Sequence, residues 1–184
     1  MKVKPSAKPG CVVVEVGNKD EPFLAERAIL PPFQLKKILV PLDFSACSFK
    51  ALQYAVPFAR QSGASLILLN VVQIVYPTGE FGPLEPPLPE TELATASQQQ
   101  LDALIQTHIG SQVPTTTQVR TGQPAEEIVR AASEEEVDLI IISTHGHTGL
   151  KHVLLGSVAE HVVRRAPCPV LTVREHEHDF VTAS

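Results

Sequence analysis

The residues best suited to chemistry in this sequence form one short segment, from Ser143 to Ser157. Gly146 and Gly149 lack side chains, so the backbone there can turn sharply and approach a ligand closely. Gly156 and Ser157 lie where a helix is expected to begin, and the N–H groups and positive dipole of a helix start attract anions. The segment predicts a site for a diphosphate or triphosphate, although its glycines match neither the Walker loop nor the Gly-x-Gly-x-x-Gly dinucleotide turn.

The same residues also have purely structural interpretations. A tight turn that needs positive φ would use Gly146 and Gly149 without any ligand. Ser157 could be the N-cap of the last helix, partnered by Glu160 in a capping box, and phosphate could still use the backbone N–H groups of Ser157 and Val158.

Three nearby histidines raise the alternative of a metal site. His145, His147 and His152 follow no standard zinc spacing, and no Cys or acid stands at a partnering position. We therefore predict no metal site here and interpret these histidines as solvated or as lying beside phosphate.

Strand-like and helix-like segments alternate from Lys37 onward, which predicts right-handed crossovers and a parallel sheet. The fold class is predicted to be α/β, a doubly wound, Rossmann-like sheet of five parallel strands in the order 3-2-1-4-5. In such a sheet the chain reverses its winding direction between strands 1 and 4, and ligands bind at the carboxyl ends of those strands. The expected strands cover 38–42, 66–72, 115–120, 137–142 and 168–173, and the expected helices begin at Ser45, Glu90, Pro124 and Ser157.

Composition limits the class of protein. A chain of 184 residues with 43% hydrophobic and 19% charged residues can build one core. We expect an extension at 1–34 containing a strand near 11–16, a main domain at 35–174 with a Pro-rich loop at 76–90, and a polar tail at 175–184. The net charge of −5 disfavours nucleic acid, the apolar runs are too short for a membrane span, and three widely spaced cysteines indicate a reducing cytoplasm.

Four segments resemble the universal stress protein family between about Gln34 and Arg174. They are Lys-Ile-Leu-Val-Pro-Leu-Asp-Phe-Ser at 37–45, Thr-His-Gly at 144–146, Leu-Gly-Ser-Val-Ala-Glu at 155–160 and Ala-Pro-Cys-Pro-Val-Leu at 166–171. The resemblance implies the family's adenine nucleotide alpha-hydrolase-like fold and a role in the stress response.

The resemblance also implies a nucleotide site. Nucleotide-binding members carry a Gly-x2-Gly-x9-Gly-Ser/Thr pattern, whose last two glycines fall on Gly146 and Gly156, whereas Ser143 stands at the first. By the same resemblance Asp43 contacts the ribose or base, and its carboxylate at a strand end agrees with the Rossmann acidic residue; a helix cap is its alternative role. The predicted site residues are Pro41, Leu42 and Val71 for adenine, Asp43, and Ser143, His145, Gly146, Gly149, Gly156, Ser157 and Val158 for phosphate and its surroundings.

The resulting expectation is an ATP-binding regulator, with Mg²⁺ on the phosphates, rather than an enzyme. The sequence has no Ser-His-Asp or Cys-His order and no pair of metal-binding carboxylates. An interaction module of the same fold without nucleotide is the alternative. We also expect a homodimer through the last strand, Val170, Leu171, Thr172 and Val173, because an apolar sheet edge left open favours aggregation; the strand near 12–16 is an alternative cover for that edge.

Overall fold

The chain divides into two compact units, Met1–Phe33 and Gln34–Ser184. The computed structural model describes residues 2–5, 12–15, 34–74, 89–146 and 155–174. In the first unit, strands β1 (Lys2–Pro5) and β2 (Val12–Glu15) pair antiparallel.

The second unit contains a five-stranded parallel sheet, and its order confirms the predicted fold class. The spatial order is β5-β4-β3-β6-β7, which is 3-2-1-4-5 when the strands of this unit are counted along the chain. The first strand therefore lies in the centre, and the winding direction reverses between it and the fourth. The strands are β3 (Lys37–Pro41), β4 (Ser65–Val72), β5 (Thr115–Thr121), β6 (Leu139–Ser143) and β7 (Val170–Val173).

Helices cover both faces of this sheet. Because successive strand residues point to opposite faces, Ile38 and Val40 pack on the side of α1, whereas Leu39 packs on the side of α3 and α4. Burial on both faces explains why β3 and β4 are apolar at nearly every position. The helices are α1 (Ala46–Ser62), α2 (Glu90–Leu104), α3 (Pro124–Glu134) and α4 (Ser157–Arg165), and a π-helical turn at Ile105–Ile109 follows α2.

The ends of α1 agree with the sequence. The Ser45 side chain accepts a hydrogen bond from the Ser48 amide at 3.2 Å, and Gly63 ends the helix in the left-handed region with φ 72°. Pro124 occupies the first turn of α3, where its missing N–H leaves no hydrogen bond unmade.

The start of α4 corrects one prediction. Gly156, not Ser157, is the N-cap, and a glycine has no side chain with which to cap the helix. The Gly156 amide is bound to the Thr144 carbonyl at 2.8 Å, so the chain is already fixed in an extended conformation there and Ser157 becomes the first helical residue. Glu160 forms an ion pair with Arg164 at 2.8 Å, so the predicted Ser157–Glu160 capping box was wrong.

Some boundaries also shift, and some predictions lie outside the described residues. The helix expected over 90–108 is α-helical only to Leu104, and β6 begins at Leu139 because Asp138 is bonded to the backbone of its neighbour strand. Residues 76–88 of the Pro-rich segment, Gly149, His147, His152 and the polar tail fall outside the described ranges. Within those ranges no helix has the length and apolar character that a membrane crossing requires.

Candidate functional site

A cavity of about 270 Å³ opens at the carboxyl ends of β3, β4 and β6, beside the first turns of α3 and α4. This is the point at which the sheet reverses its winding direction, where doubly wound proteins bind ligands. The described site residues predicted from the sequence all line this crevice: Pro41, Leu42, Asp43, Val71, Ser143, His145, Gly146, Gly156, Ser157 and Val158. Their roles toward a ligand remain predictions.

One wall of the crevice is apolar. Pro41 and Leu42 are buried at the end of β3, and Val71 lies near the end of β4. Leu69 and Ile128 extend the same surface. An apolar wall with a few polar groups at its margin suits a planar heterocycle that carries polar substituents.

The Asp43 carboxylate contacts both a helix cap and the crevice. Its Oδ1 accepts from the Ser45 amide at 3.0 Å and from the Ser45 hydroxyl at 2.6 Å, so it holds the N-cap residue of α1 in place. Its Oδ2 lies against Gly146, at the cavity wall. One carboxylate can therefore support the cap and present an acceptor to a ligand.

The two described glycines of the loop, Gly146 and Gly156, lie so close to neighbouring atoms that a side chain would not fit. Unusual torsion angles are not the reason for glycine at these positions. A Cβ on Gly146 would collide with Asp43 Oδ2, and a Cβ on Gly156 would stand 2.9 Å from the Thr144 carbonyl oxygen. Neither glycine has a positive φ. The interpretation of Gly146 as a turn that needs positive φ is therefore wrong, and contact with the β3 end explains the residue instead.

The first turn of α4 lies at the cavity. Ser157 and Val158 line the crevice, and the first amides of a helix have no acceptor within the helix. The N-cap residue, Gly156, has no side chain with which to accept from these amides. Together with the helix dipole, they provide donors and a positive potential that suit an anionic group.

Ser143 is the last residue of β6 and is fixed by the sheet. It pairs with Val173 in register, and the next amide, that of Thr144, donates to the Val173 carbonyl at 2.8 Å. Ser143 is 9% exposed and lies in the crevice wall. The serine therefore adds a methylene and a hydroxyl to this wall, where glycine would leave open space.

His145 lies beside Ser143 in the loop after β6. Its Nδ1 is 2.9 Å from the Thr144 hydroxyl. Such a bond orients the ring from the protein side.

Sequence reasoning missed several lining residues. Pro124 and Ile128 belong to the first two turns of α3, which begins directly after β5 reaches the same edge of the sheet. The predicted helix start at Pro124 carried this signal, because helices that follow parallel strands begin at the carboxyl edge. Other lining residues that were not predicted are Ser48, Leu69, Ile142, Thr144 and Ala159.

The resolved pKa shifts lie elsewhere. Backbone hydrogen bonds from Lys37 and Lys36 lower the pKa of Asp138, which precedes β6 at the opposite edge of the sheet. Burial raises the pKa of the Cys168 thiol, which precedes β7. Asp138 therefore stabilises the amino ends of the strands, and its role is structural.

The winding direction of the chain reverses beside the central strand, and a crevice opens there at the carboxyl edge of the sheet. These two features define a doubly wound, Rossmann-like α/β protein. The sequence profile of the universal stress protein family matches residues 34–174. The chain belongs to the universal stress protein family.

Relatives of similar length support this assignment. Universal stress protein MJ0531 of Methanocaldococcus jannaschii is 35% identical over 140 residues, which is 76% of this chain and 82% of that protein. Universal stress protein YxiE of Bacillus subtilis is 34% identical over 75% of this chain and 98% of its own.

Solved structures agree with the fold. Universal stress protein UspA from Lactobacillus plantarum superposes with a TM-score of 0.64 at 30% identity, covering 78% of this chain and 100% of that one. Two further structures, a universal stress protein in complex with cAMP (TM-score 0.54, 77% and 98% coverage) and one from Archaeoglobus fulgidus in complex with dAMP (0.53, 77% and 99%), are 23% and 19% identical and show the fold alone.

Proposed function

We propose that this protein is a regulator that binds an adenine nucleotide, ATP in the first place, in the crevice between β3 and β6. The observation that carries the proposal is the convergence of an apolar wall, an acidic residue and an uncapped helix start on one cavity. These three features match the base, the sugar and the phosphates of a nucleotide.

The arrangement suggests how the nucleotide lies. Adenine would pack against Pro41, Leu42 and Val71, and a ribose hydroxyl would donate to Asp43 Oδ2. The phosphates would reach the loop at Gly146 and the first amides of α4, with Mg²⁺ held by phosphate oxygens. The universal stress protein structures with bound cAMP and dAMP are consistent with an adenine ligand. Because their sequence identity to this chain is low, the proposal rests on the crevice itself.

We propose binding rather than turnover. The groups around the crevice suit recognition, since Asp43 is bonded to Ser45 and much of the wall is apolar. The odd number and wide spacing of Cys11, Cys47 and Cys168 support a reducing, cytoplasmic compartment.

Calorimetric titration of the purified chain with ATP and Mg²⁺ tests the proposal. We expect saturable binding, and a higher melting temperature because a ligand that binds only the native state stabilises it. Asp43→Ala should weaken binding, whereas the matched variant Asp102→Ala, which removes an exposed carboxylate of α2, should not. A folded chain that shows no heat and no melting shift at millimolar ATP would contradict nucleotide binding.

A second candidate function is an interaction module that works without nucleotide. Ser143 favours it, because its side chain occupies space in the crevice wall where the nucleotide-binding pattern has glycine. Ser143→Gly distinguishes the two functions. Tight ATP binding that appears only in the glycine variant would favour the module.

We further propose that the chain forms a homodimer through β7. This strand lies at an edge of the sheet and pairs only with β6 among the described strands. The carbonyls of Pro169 and Val173 point to β6, so by strand alternation the backbone groups of Val170 and Thr172 point to the open edge. A second copy could pair with those groups and cover the half-buried Val170, Leu171 and Thr172.

A further inference from the structure

Leu42, the residue before Asp43, is held by hydrogen bonds on both sides of its backbone. Its amide donates to the Leu69 carbonyl at 2.8 Å, and its carbonyl accepts from Asn70 Nδ2 at 2.7 Å. The Leu42 carbonyl belongs to the same peptide plane as the Asp43 amide. Asn70 therefore sets the direction in which the chain leaves β3 and enters the crevice.

The amide group of Asn70 is itself oriented by α2. Its Oδ1 accepts from the Ser97 hydroxyl at 2.9 Å, so one end of the amide is bound to the helix and the other to the Leu42 carbonyl. Asn70 is 7% exposed and Ser97 is 8% exposed. In such a buried site an unmade hydrogen bond is costly, and the two bonds reinforce one orientation of the amide.

Helix α2 is weakly anchored. Of its 15 residues only Ser97 and Leu101 are buried. One of the two buried side chains of α2 is therefore that of Ser97, whose hydroxyl donates its hydrogen bond to Asn70. A shift of α2 away from β4 would break this bond and release the amide that positions Leu42.

We propose that Asn70 and Ser97 form a buried relay that couples the seating of α2 to the crevice, with Asn70 as a positioning residue for Asp43. Nucleotide affinity then depends on the position of α2, and anything that displaces α2 lowers it. This inference rests on the proposed nucleotide function only in the choice of nucleotide as the ligand. The hydrogen bonds of the relay are a property of the fold. By thermodynamic reciprocity, nucleotide binding must also stabilise α2.

The test compares Ser97→Ala with Gln98→Ala. Both variants remove one hydrogen bond between α2 and the sheet, because Gln98 Nε2 donates to the Thr117 hydroxyl of β5 at 2.7 Å. Of these two side chains, that of Ser97 is the one that hydrogen-bonds to Asn70. Asn70→Leu, of similar volume, removes the relay entirely.

The readout is the ratio of ATP affinity to 2′-deoxy-ATP affinity, measured by calorimetry. If Asn70 aims Asp43 at the ribose, Asn70→Leu should weaken ATP about tenfold and bring the ratio close to one. Ser97→Ala should move the ratio in the same direction by a smaller factor, and Gln98→Ala should leave it unchanged. A ratio equal in wild type, Ser97→Ala and Asn70→Leu, with wild type preferring ATP, would overturn the relay while leaving the nucleotide function intact.

Hydrogen exchange provides a second arm that needs no ligand. Peptides covering Leu42 to Ser48 should exchange faster in Asn70→Leu and Ser97→Ala than in Gln98→Ala. Equal exchange in all three variants would overturn the proposal even if the protein binds no nucleotide. Added ATP should slow exchange in α2 of wild type and Gln98→Ala, and this protection should be reduced in Ser97→Ala.

Discussion

At the scale of single residues, the contact between Asp43 and Gly146 is the most restrictive feature of the crevice. The glycine has no spare room on its Cβ side because Asp43 Oδ2 already occupies it. The carboxylate cannot retreat freely, since its other oxygen is bonded to Ser45. The two residues should therefore respond to substitution as one unit.

Gly146→Ala should lower ATP affinity about tenfold, because the new methyl group displaces the Asp43 carboxylate or the loop. The same substitution in an Asp43→Ala background should cost much less, since the colliding oxygen is gone. Calorimetry on the four proteins of this double-mutant cycle measures the coupling. Strictly additive losses would show that Gly146 and Asp43 act independently.

Asp138 gives a prediction about pH. Its Oδ2 accepts from the amides of Lys36 and Lys37 at 2.7 and 2.9 Å, and these bonds lower the pKa of its carboxyl group from 3.8. A carboxyl group whose pKa is lower in the folded state contributes stability above its unfolded pKa and loses it as pH falls through the folded value. The contribution is therefore present at neutral pH and disappears in the acid range below 3.8.

Asp138→Ala should reduce the free energy of unfolding by roughly 1 kcal/mol at neutral pH, a modest value because the group is partly solvated. Urea denaturation at neutral pH and at about pH 3 measures the effect, and the difference from wild type should shrink at the lower pH. Glu134→Ala, a more exposed acidic position on α3, is a comparison without backbone partners. A difference independent of pH would contradict the assigned role.

At the scale of elements, the first turn of α1 connects helix stability to the crevice. The Ser45 hydroxyl accepts from the Ser48 amide and donates to Asp43 Oδ1. Phe44, between these residues, has φ 63°, an uncommon value for a bulky side chain. Such strain persists only where surrounding bonds hold the backbone, and the Asp43–Ser45 bonds are the ones that span it.

Ser45→Ala should lower the free energy of unfolding by about 1 kcal/mol, because the N-cap bond and the support for Asp43 are both lost. Ser45→Thr keeps the hydroxyl and should recover most of this loss. Ser62→Ala, which removes a hydroxyl bonded to Phe58 at the other end of α1, controls for general effects on the helix. Denaturant titration measures all three, and equal losses in the alanine and threonine variants would argue against a cap.

At the scale of the whole molecule, β7 is an edge strand among the described strands, and it is the surface through which we propose that two copies pair. Proline at position 172 lacks the N–H that points to the open edge, yet it spares the bonds between β7 and β6 at Pro169 and Val173. Thr172→Pro should therefore be monomeric. Thr172→Val keeps the N–H and should remain dimeric.

Light scattering during size-exclusion chromatography at tens of micromolar distinguishes these outcomes. A wild-type monomer would contradict the dimer altogether. A dimeric Thr172→Pro variant would place the contact on another surface.

Much of the fold of the second unit was predictable from the sequence, because a buried segment must have a characteristic pattern of apolar residues. Strands covered on both faces must be apolar throughout, which made β3, β4 and β6 recognisable, and Ser45, Gly63 and Pro124 marked helix ends through their own stereochemistry. Alternation of strands and helices then limited the topology to a doubly wound sheet.

The crevice residues were predictable for a related reason. Carboxyl ends of parallel strands share one edge, so the residues after β3 and β6 had to meet. The N-cap of α4 was placed one residue late because the Gly156 amide is held by the Thr144 carbonyl, a contact between two loop positions that no local pattern encodes.

The sequence by itself determined the fold, the edge of the sheet at which the crevice opens and the residue types that line it. Only the tertiary structure decided that Gly146 is glycine because of Asp43, and that Asn70, an apparent interruption of an apolar strand, bonds to Leu42 and Ser97. The physical reason is that periodicity reports whether a side chain is buried, whereas its partner is fixed by packing between segments distant in the chain.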